Sequence, residues 1–297
     1  MKTAAPKKIL ERHRVFNRNS ADCFTAFESH RQQVKALLAQ AESGGRLLVL
    51  GAGNGNDLDL EDLGARFSEI HLCDLDEEAM ERLTARLPEA SRARFFQHAP
   101  VDATGLLTRL SPAAFGGPAA RPPPDGKTQT QIEAEIDHLV AAGQAEVQTR
   151  LPGPFEVVLS AALLSQIMHS ARLCLGEAHP QLPALAQALV VAHLQTLAAL
   201  TAPGGRAILV TDVVSSETYP LEELWDAQPP MALLERLEKE ENVFSGVGPA
   251  FLRRMLGREA GVQASLRAAP RFVEPWLWRL GEDLTLLAYA IVLERGP

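Results

Sequence analysis

Residues 47–57 place a short apolar run directly before a series of alternating glycines. The run 47–50 (Leu-Leu-Val-Leu) carries no polar residue, which is typical of a parallel strand buried on both faces. Gly51, Gly53 and Gly55 follow, and the residues after them show helical spacing of apolar side chains. Because glycine lacks a Cβ and accepts positive φ, such a turn lets backbone N–H groups approach a ligand closely. The segment predicts an α/β fold with half of a nucleotide-like binding site.

The spacing of these glycines narrows the class of ligand. A dinucleotide-binding turn requires G-x-G-x-x-G, whereas Asn56 occupies the position of the third glycine here. The lysine of a phosphate-binding P-loop is also missing from its required position. Asp57, at the predicted start of the helix, repels a phosphate and attracts a cationic group. The turn therefore predicts a nucleoside ligand without phosphates.

Two acidic residues follow the next predicted strands. The second strand is predicted at 69–73, and Asp74 at its carboxyl end lies 21 residues beyond Gly53. An acid about 20 residues beyond the glycine turn is suited to a ribose, because one carboxylate can accept from two adjacent hydroxyls. The third strand is predicted at 93–97, and Asp102 beyond it can accept from the exocyclic amine of an adenine.

Together these motifs resemble those of class I S-adenosylmethionine-dependent methyltransferases. The matching segments occur in that family's order: 49–55, 71–76, 101–103, 155–160 and 201–206. The resemblance implies a Rossmann-like α/β fold with a seven-stranded, mostly parallel sheet whose last strand is antiparallel. A predicted C-terminal hairpin, 272–280 and 285–294, agrees with that last strand and disagrees with a dinucleotide-binding sheet.

One position departs from the family pattern. The family commonly has an acid two residues before the first glycine, where this chain has Val49. That acid usually contacts the amino group of the cofactor indirectly. We expect Asp57 to replace it in part, since Asp57 lies at the other end of the glycine turn.

The chain divides into an N-terminal extension and one large domain. Residues 1–44 are predicted as a helical extension, with a helix that starts near Ser20 or Asp22 and an irregular polar segment at 13–19. In the family such an extension often closes over the cofactor as a lid. Residues 45–297 form the predicted cofactor-binding domain, interrupted by a proline-rich insertion at about 111–128.

The resemblance implies S-adenosylmethionine as the cofactor and S-adenosylhomocysteine as its product. The residues predicted to bind it are Gly51, Ala52, Gly53, Gly55, Asp57, Asp74, Leu75, Asp102 and Ser160.

The segments after strands four and five carry the candidate substrate contacts. His169 is the predicted general base, with Ser165 and Gln166 as polar groups of the pocket; alternatively, His169 only pads the following segment. Asp212, at the end of strand five, is predicted to orient an amine or hydroxyl, and a buried structural acid is the alternative. Tyr219 is predicted to contact substrate from an active-site loop.

Isolated residues give weaker indications. Trp276 and Trp278 lie two apart on one strand face and are predicted as core or interface residues rather than stacking platforms. His13, His30 and Arg31 are expected to matter for function only if the N-terminal extension is a lid.

Composition limits the partners. A net charge of −8 offers no broad attraction to nucleic acid, and the apolar run 184–200 falls short of a membrane span. Cys23, Cys73 and Cys174 form neither a disulfide framework nor a metal pattern, so no metal is expected. The N-terminus lacks an apolar signal core, and we expect a cytoplasmic protein without nucleic-acid or membrane partners.

The favoured function is methylation of oxygen or nitrogen on a small molecule. No Asn-Pro-Pro-Tyr type of signature, which accompanies amide or nucleobase targets, follows strand four. One alternative is a protein that keeps the fold and binds cofactor or a partner without methylating. A protein or RNA methyltransferase is less favoured, and Asn56 with the C-terminal hairpin disfavours an NAD-dependent oxidoreductase.

Overall fold

A computed structural model describes residues 4–103, 129–281 and 283–297. Its centre is one sheet, with strands in the order β3-β2-β1-β4-β5-β8-β6 and β7 also paired with β8. The strands are β1 Arg46–Leu50, β2 Glu69–Cys73, β3 Phe95–His98, β4 Phe155–Ala161, β5 Thr201–Ser215, β6 Arg271–Phe272, β7 Trp276–Arg279 and β8 Thr285–Glu294. Strands β1 to β5 run parallel, and β8 runs antiparallel to β5. The predicted mixed sheet with an antiparallel last strand is confirmed.

The edge position beside β8 is shared by two short strands. Both β6 and β7 pair antiparallel with β8, with Phe272 opposite Ile291 and Trp276 opposite Ala288. Between them lies Pro275, which has no N–H to donate to a ladder. The predicted strand 272–280 is therefore two strands, and the sheet has seven strand positions.

Helices cover both faces of the sheet. They are α1 Ala4–Asn19, α2 Glu28–Leu38, α3 Leu60–Arg66, α4 Glu77–Ala85, α5 Gln129–Arg150, α6 Leu163–Leu175, α7 Leu182–Leu200, α8 Leu221–Trp225, α9 Pro230–Lys239, α10 Pro249–Arg258 and α11 Ala260–Ser265, with a 3₁₀ helix at Glu89–Arg94. Alternate residues of β1 enter different cores: Leu48 and Leu50 join the core on the α6 and α7 side, whereas Leu47 and Val49 join the core on the α2 to α4 side.

The helix α7 is, within the described ranges, the one helix long and apolar enough to cross a membrane. Its residues Leu185, Leu189, Leu194 and Leu197 are buried in the core of this fold. The proline-rich insertion predicted at about 111–128 lies outside the described residues.

The N-terminal extension differs from its prediction. Residues 13–19, predicted as irregular, belong to the helix α1. The helix α2 begins at Glu28 rather than near Ser20 or Asp22. Ser20 caps no helix, because its hydroxyl donates to the carbonyl of Phe16 at 3.0 Å. Two helices therefore precede β1 where one was predicted.

The helix after the glycine turn also begins later than predicted. Asp59 is its N-cap, and the Asp59 carboxylate accepts from the backbone N–H of Asp62 at 3.1 Å. Asp57 is therefore part of the turn and not the first residue of α3.

Candidate functional site

The glycine turn lies where the carboxyl ends of β1, β2 and β4 meet. Gly51, Gly53 and Gly55 all have positive φ, at 79°, 49° and 69°. A Cβ at Gly51 would lie 3.0 Å from the carbonyl oxygen of Ala161, and a Cβ at Gly55 would lie 2.8 Å from Leu83 Cδ1. Gly51 and Gly53 line narrow clefts. Gly55, predicted to bind cofactor, instead lets the turn pack against α4.

Asp74 is bound to the glycine turn. Its Oδ2 accepts from the N–H of Gly53 at 2.7 Å, and its Oδ1 accepts from the N–H of Asp76 at 2.8 Å. Burial raises the pKa of Asp74 to about 6, although both backbone bonds favour the charged form. Asp74 lines a cleft of about 40 Å³ together with Leu75 and Asp102.

A second cleft of about 40 Å³ lies on the other side of the turn, and Asp57 and Ala52 line it. The Oδ1 atom of Asp57 is buried and has no hydrogen-bond partner among the described residues. Burial raises the pKa of this carboxyl to about 7. Asp57 Oδ1 is therefore a buried acceptor without a donor in the described part of the chain.

His30 of α2 faces Asp57 in a fixed protonation state. The ring accepts at Nδ1 from Trp276 Nε1 at 3.1 Å, so the proton of the neutral ring is on Nε2. That Nε2 lies 3.7 Å from Asp57 Oδ1, beyond hydrogen-bond distance. Burial lowers the pKa of His30 to about 3, which keeps the ring neutral at pH 7.

The helix α1 lies across both narrow clefts. Asn17 donates to Asp76 Oδ2 at 3.0 Å, and its carbonyl accepts from Asn54 Nδ2 at 2.7 Å. His13 Nδ1 lies 3.1 Å from Gln166 Oε1. Small-molecule sites usually enclose about 300–1,000 Å³. Each narrow cleft is far smaller than this, so we expect α1 to move outward when a ligand of nucleoside size binds.

A third cleft, of about 540 Å³, adjoins the other two. It brings together Ser165, Gln166, His169 and Asp212, four residues predicted at the substrate side. Ser165 Oγ donates to Asp212 Oδ1, and burial raises the pKa of Asp212. His169 is exposed, and partial burial together with the charges of Arg12 and Arg172 lowers its pKa. Gln166 lines all three clefts and therefore lies at their junction.

Two predicted site residues lie elsewhere. Ser160 is buried, and its Oγ lies 2.8 Å from His193 Nε2 of α7, so its side chain faces the core. The hydroxyl of Tyr219 donates to Glu240 at 3.1 Å and accepts from Arg236 at 2.9 Å, and Tyr219 lines none of the three clefts. The side chains of both residues therefore point away from the three clefts, and their binding roles stay predictions.

The structure places in the clefts two residues that sequence reasoning missed, Phe16 and Asn17, and two to which it gave other or conditional roles, Trp278 and His13. Trp278 is only 3% exposed, as predicted, but it also lines both the large cleft and the Asp57 cleft. His13, Phe16 and Asn17 line clefts from α1. Their spacing of three and four residues is a helical signal that the polar character of the segment obscures. No group of residues suited to a metal occurs in the described ranges.

No protein-family model matches the chain, and no curated protein matches it in sequence. Solved structures similar to it include the N-methyltransferase NodS from Bradyrhizobium japonicum, which is 11% identical over 91% of this chain and 96% of NodS with a TM-score of 0.41. YcgJ from Bacillus subtilis is 13% identical over 91% of this chain and 99% of YcgJ, with a TM-score of 0.44. An rRNA methylase from Streptococcus thermophilus is 12% identical over 89% of this chain and 95% of its own, with a TM-score of 0.38.

The sheet itself identifies the fold. Five parallel strands in the order 3-2-1-4-5 are followed by an antiparallel strand, β8, inserted between β5 and the edge strands. The chain has the class I methyltransferase fold. A class I methyltransferase sheet differs from a dinucleotide-binding sheet in this antiparallel strand, so the sheet disagrees with the oxidoreductase alternative.

Proposed function

We propose that this protein is an S-adenosylmethionine-dependent methyltransferase that acts on oxygen or nitrogen of a small molecule. The observation that carries the proposal is the buried, donor-free Oδ1 of Asp57 beside the glycine turn. Burial of a carboxylate oxygen without a donor destabilises the folded protein, and a hydrogen bond from a ligand ammonium group offsets that penalty. The cofactor has such a group in its methionine part.

The cofactor fits the remaining residues once α1 moves. Asp74 would hold the ribose: its two oxygens accept backbone N–H groups, among them those of Gly53 and Asp76, and a carboxylate has about four acceptor sites in all. Asp102 and Leu75, in the same cleft, would bind the adenine. Val49, at the position of the family's acid, is fully buried in the core and has no carboxylate. In this chain Asp57 would therefore bind the ammonium group of the cofactor.

The large cleft supports transfer to a small substrate. The bound cofactor would supply an electrophilic methyl group on a sulfonium. Burial raises the pKa of Asp212, which favours uptake of a proton by its carboxylate, and Ser165 orients that carboxylate through a hydrogen bond. His169 has a lowered pKa and is the second candidate base.

Substitution of the two candidate bases separates their roles. Asp212→Asn is expected to lower kcat by about 10²–10⁴ and leave cofactor affinity unchanged, if Asp212 is the base. His169→Gln then changes kcat little. A loss confined to His169→Gln assigns the base to His169 instead, and the pH profile of kcat in each variant reports which group titrates.

Calorimetry tests the function directly. S-Adenosylmethionine and S-adenosylhomocysteine are expected to bind the full chain at micromolar concentrations, and NAD is expected not to bind. Failure of both sulfur nucleosides to bind contradicts the proposal. Binding without methyl transfer to any small-molecule library identifies instead a protein that keeps the pocket without the activity.

A further inference from the structure

The cleft of about 540 Å³ has groups of opposite charge in different parts of its wall. Asp212 and Glu217 line it at and just beyond the end of β5, whereas Arg12 and Arg172 line it from α1 and α6. His169 lines the same cleft, and the charges of both arginines lower its pKa, whereas the charge of Glu177 acts in the opposite direction. One part of the cleft is therefore acidic and another is basic.

The helix α6 sets the distance between these parts. Ser165, His169 and Arg172 follow one another at spacings of four and three residues, and all three line the cleft from one face of the helix. At 1.5 Å per residue, Ser165 and Arg172 lie about 10 Å apart along the helix axis. Ser165 donates to Asp212, so the acidic part is at the start of α6.

The guanidinium groups retain donors for a ligand. Arg172 meets Glu177 through Nε at 3.6 Å, and the Glu177 side chain is 77% exposed. Such an exposed, long ion pair contributes little and is easily exchanged. A guanidinium presents five donors in a planar fork that matches a carboxylate, so Arg172 can hold a second anion through its terminal nitrogens.

The wall of the cleft also has a large apolar part. It consists of Met168, Phe244, Trp278, Leu280, Leu284 and Leu286. Apolar walls bind the body of a ligand, and a few charged groups fix its orientation. Most of these residues come from the β7–β8 hairpin and the loop within it.

Resting on the proposed function, we propose that the substrate is an elongated apolar acid. Its carboxylate would be held by Arg12 and Arg172, and its methyl-accepting hydroxyl or amine would lie at Asp212, about 10 Å away. In the transfer, a lone pair of the acceptor forms the bond to the methyl carbon. The electron pair of the broken carbon–sulfur bond stays on sulfur, and the proton of the acceptor passes to the Asp212 carboxylate.

The test uses rigid hydroxy acids of graded length. The probes are 4-hydroxybenzoate, 4-hydroxycinnamate and 4′-hydroxybiphenyl-4-carboxylate, each with its methyl ester. Calorimetry measures their affinity for the full chain saturated with S-adenosylhomocysteine. The variants are Arg172→Gln, Arg172→Lys as the conservative change, and Arg258→Gln as the control. Arg258 is exposed at the end of α10 and lines none of the described clefts.

The two longer acids are expected to bind at least about 10-fold more tightly than their esters, because the ester leaves the arginines without a charged partner. Arg172→Gln is expected to remove that preference, Arg172→Lys to keep part of it, and Arg258→Gln to keep all of it. Equal affinity for acid and ester, an unaltered preference in Arg172→Gln, or no binding of any acid overturns the inference.

The readout on the cofactor separates this inference from the proposed function. S-Adenosylhomocysteine affinity is measured first, in the wild type and in Arg172→Gln, where it is expected to be equal. If S-adenosylhomocysteine does not bind the wild type, the proposed function itself is contradicted. Cofactor binding without a preference for acids contradicts only the substrate class.

Discussion

Asp57 shows how one side chain acquires its properties from distant parts of the chain. Its carboxylate follows the glycine turn, but its environment comes from His30 of α2, and Trp276 of β7 sets the tautomer of that histidine. Arg31 is the charged group that acts on Asp57, and it favours the ionised form. Burial outweighs that attraction, so Asp57 holds a proton up to about pH 7.

Asp57→Asn tests the ammonium site. Charged hydrogen bonds contribute about 1.5–3 kcal/mol, so cofactor affinity is expected to fall about 10- to 100-fold. In the wild type, affinity rises with pH through about 7, because the ammonium group binds the ionised carboxylate; in Asp57→Asn that rise is absent. Calorimetry between pH 6 and pH 8.5 measures both effects. Asp62→Asn is the control, since Asp62 pairs with Arg66 outside the clefts, and an equal loss there contradicts the assignment.

The same substitution has an opposite effect on the apoprotein. The pKa of Asp57 is raised from 3.8 to about 7 in the folded state, so between these values the folded chain keeps a proton that the unfolded chain has lost. The contribution of Asp57 to the free energy of unfolding therefore falls as the pH rises from 3.8 to about 7. Asp57→Asn is expected to exceed the wild type in stability at pH 8, by at most about 4 kcal/mol. Urea unfolding at pH 5 and pH 8 checks the sign; a difference independent of pH contradicts it.

At the scale of elements, α1 connects the N-terminus to the site. It meets α4 through Asn17 and Asp76, and α6 through His13, Gln166 and Ser170. These are hydrogen bonds rather than a broad apolar interface. Such bonds contribute about 0.5–1.5 kcal/mol each, so α1 can open at modest cost.

Asn17→Ala is expected to speed cofactor entry. It removes the bond from Asn17 to Asp76, which must break when α1 moves, and the association rate is expected to rise about 2- to 10-fold. Stopped-flow fluorescence of Trp278, which lines two clefts, measures the rate. Arg18→Ala is the control on the same helix, because Arg18 is ion-paired with the exposed Glu11. Equal association rates of the cofactor in wild type and Asn17→Ala would contradict the proposal that α1 acts as a lid.

The contact between the glycine turn and α4 gives a prediction about stability. Gly55→Ala introduces a Cβ at a φ of 69° and 2.8 Å from Leu83, so the free energy of unfolding is expected to fall by about 1–3 kcal/mol. Gly261→Ala is the control, since nothing lies within 4 Å of its Cβ position. Urea unfolding measures both. The folded Gly55→Ala variant is expected to keep its cofactor affinity. A large fall in that affinity would show that Gly55 contributes to cofactor binding.

At the scale of the whole molecule, buried histidines make stability depend on pH. His193 bonds to Ser160 between α7 and β4, and burial lowers its pKa from 6.5 to about 4. The unfolded chain binds a proton at this residue below pH 6.5, and the folded chain does not until about pH 4. The contribution of His193 to the free energy of unfolding is therefore complete above pH 6.5 and is lost as the pH falls toward 4.

His193→Gln tests this contribution in global unfolding. Glutamine retains hydrogen-bonding capacity and does not titrate. The wild type is expected to lose up to about 3 kcal/mol more than the variant between pH 7 and pH 4. Urea unfolding across that range measures the difference, with exposed His138→Gln as the control. Parallel curves for wild type and His193→Gln would mean that this histidine titrates alike in the folded and unfolded chain, which contradicts the lowered pKa.

The elements that sequence reasoning predicted correctly depend on local patterns. The apolar run before Gly51 predicts β1, and the nearly continuous apolar run at 285–294 predicts β8, because burial in a sheet selects such runs within a few residues. Asp74 and Asp102 were predicted at one edge because parallel strands bring their carboxyl ends together. The order of these motifs is enough to specify the fold.

The sequence alone therefore determined the sheet, the glycine turn and the acids beside it. Only the tertiary structure decided which way each side chain faces and what it meets. Ser160 faces His193, Gly55 packs on Leu83, and α1 forms over clefts whose other walls are far along the chain. Hydrogen bonds and burial between segments more than a hundred residues apart, as for His13 with Gln166, leave no periodic signal in either segment.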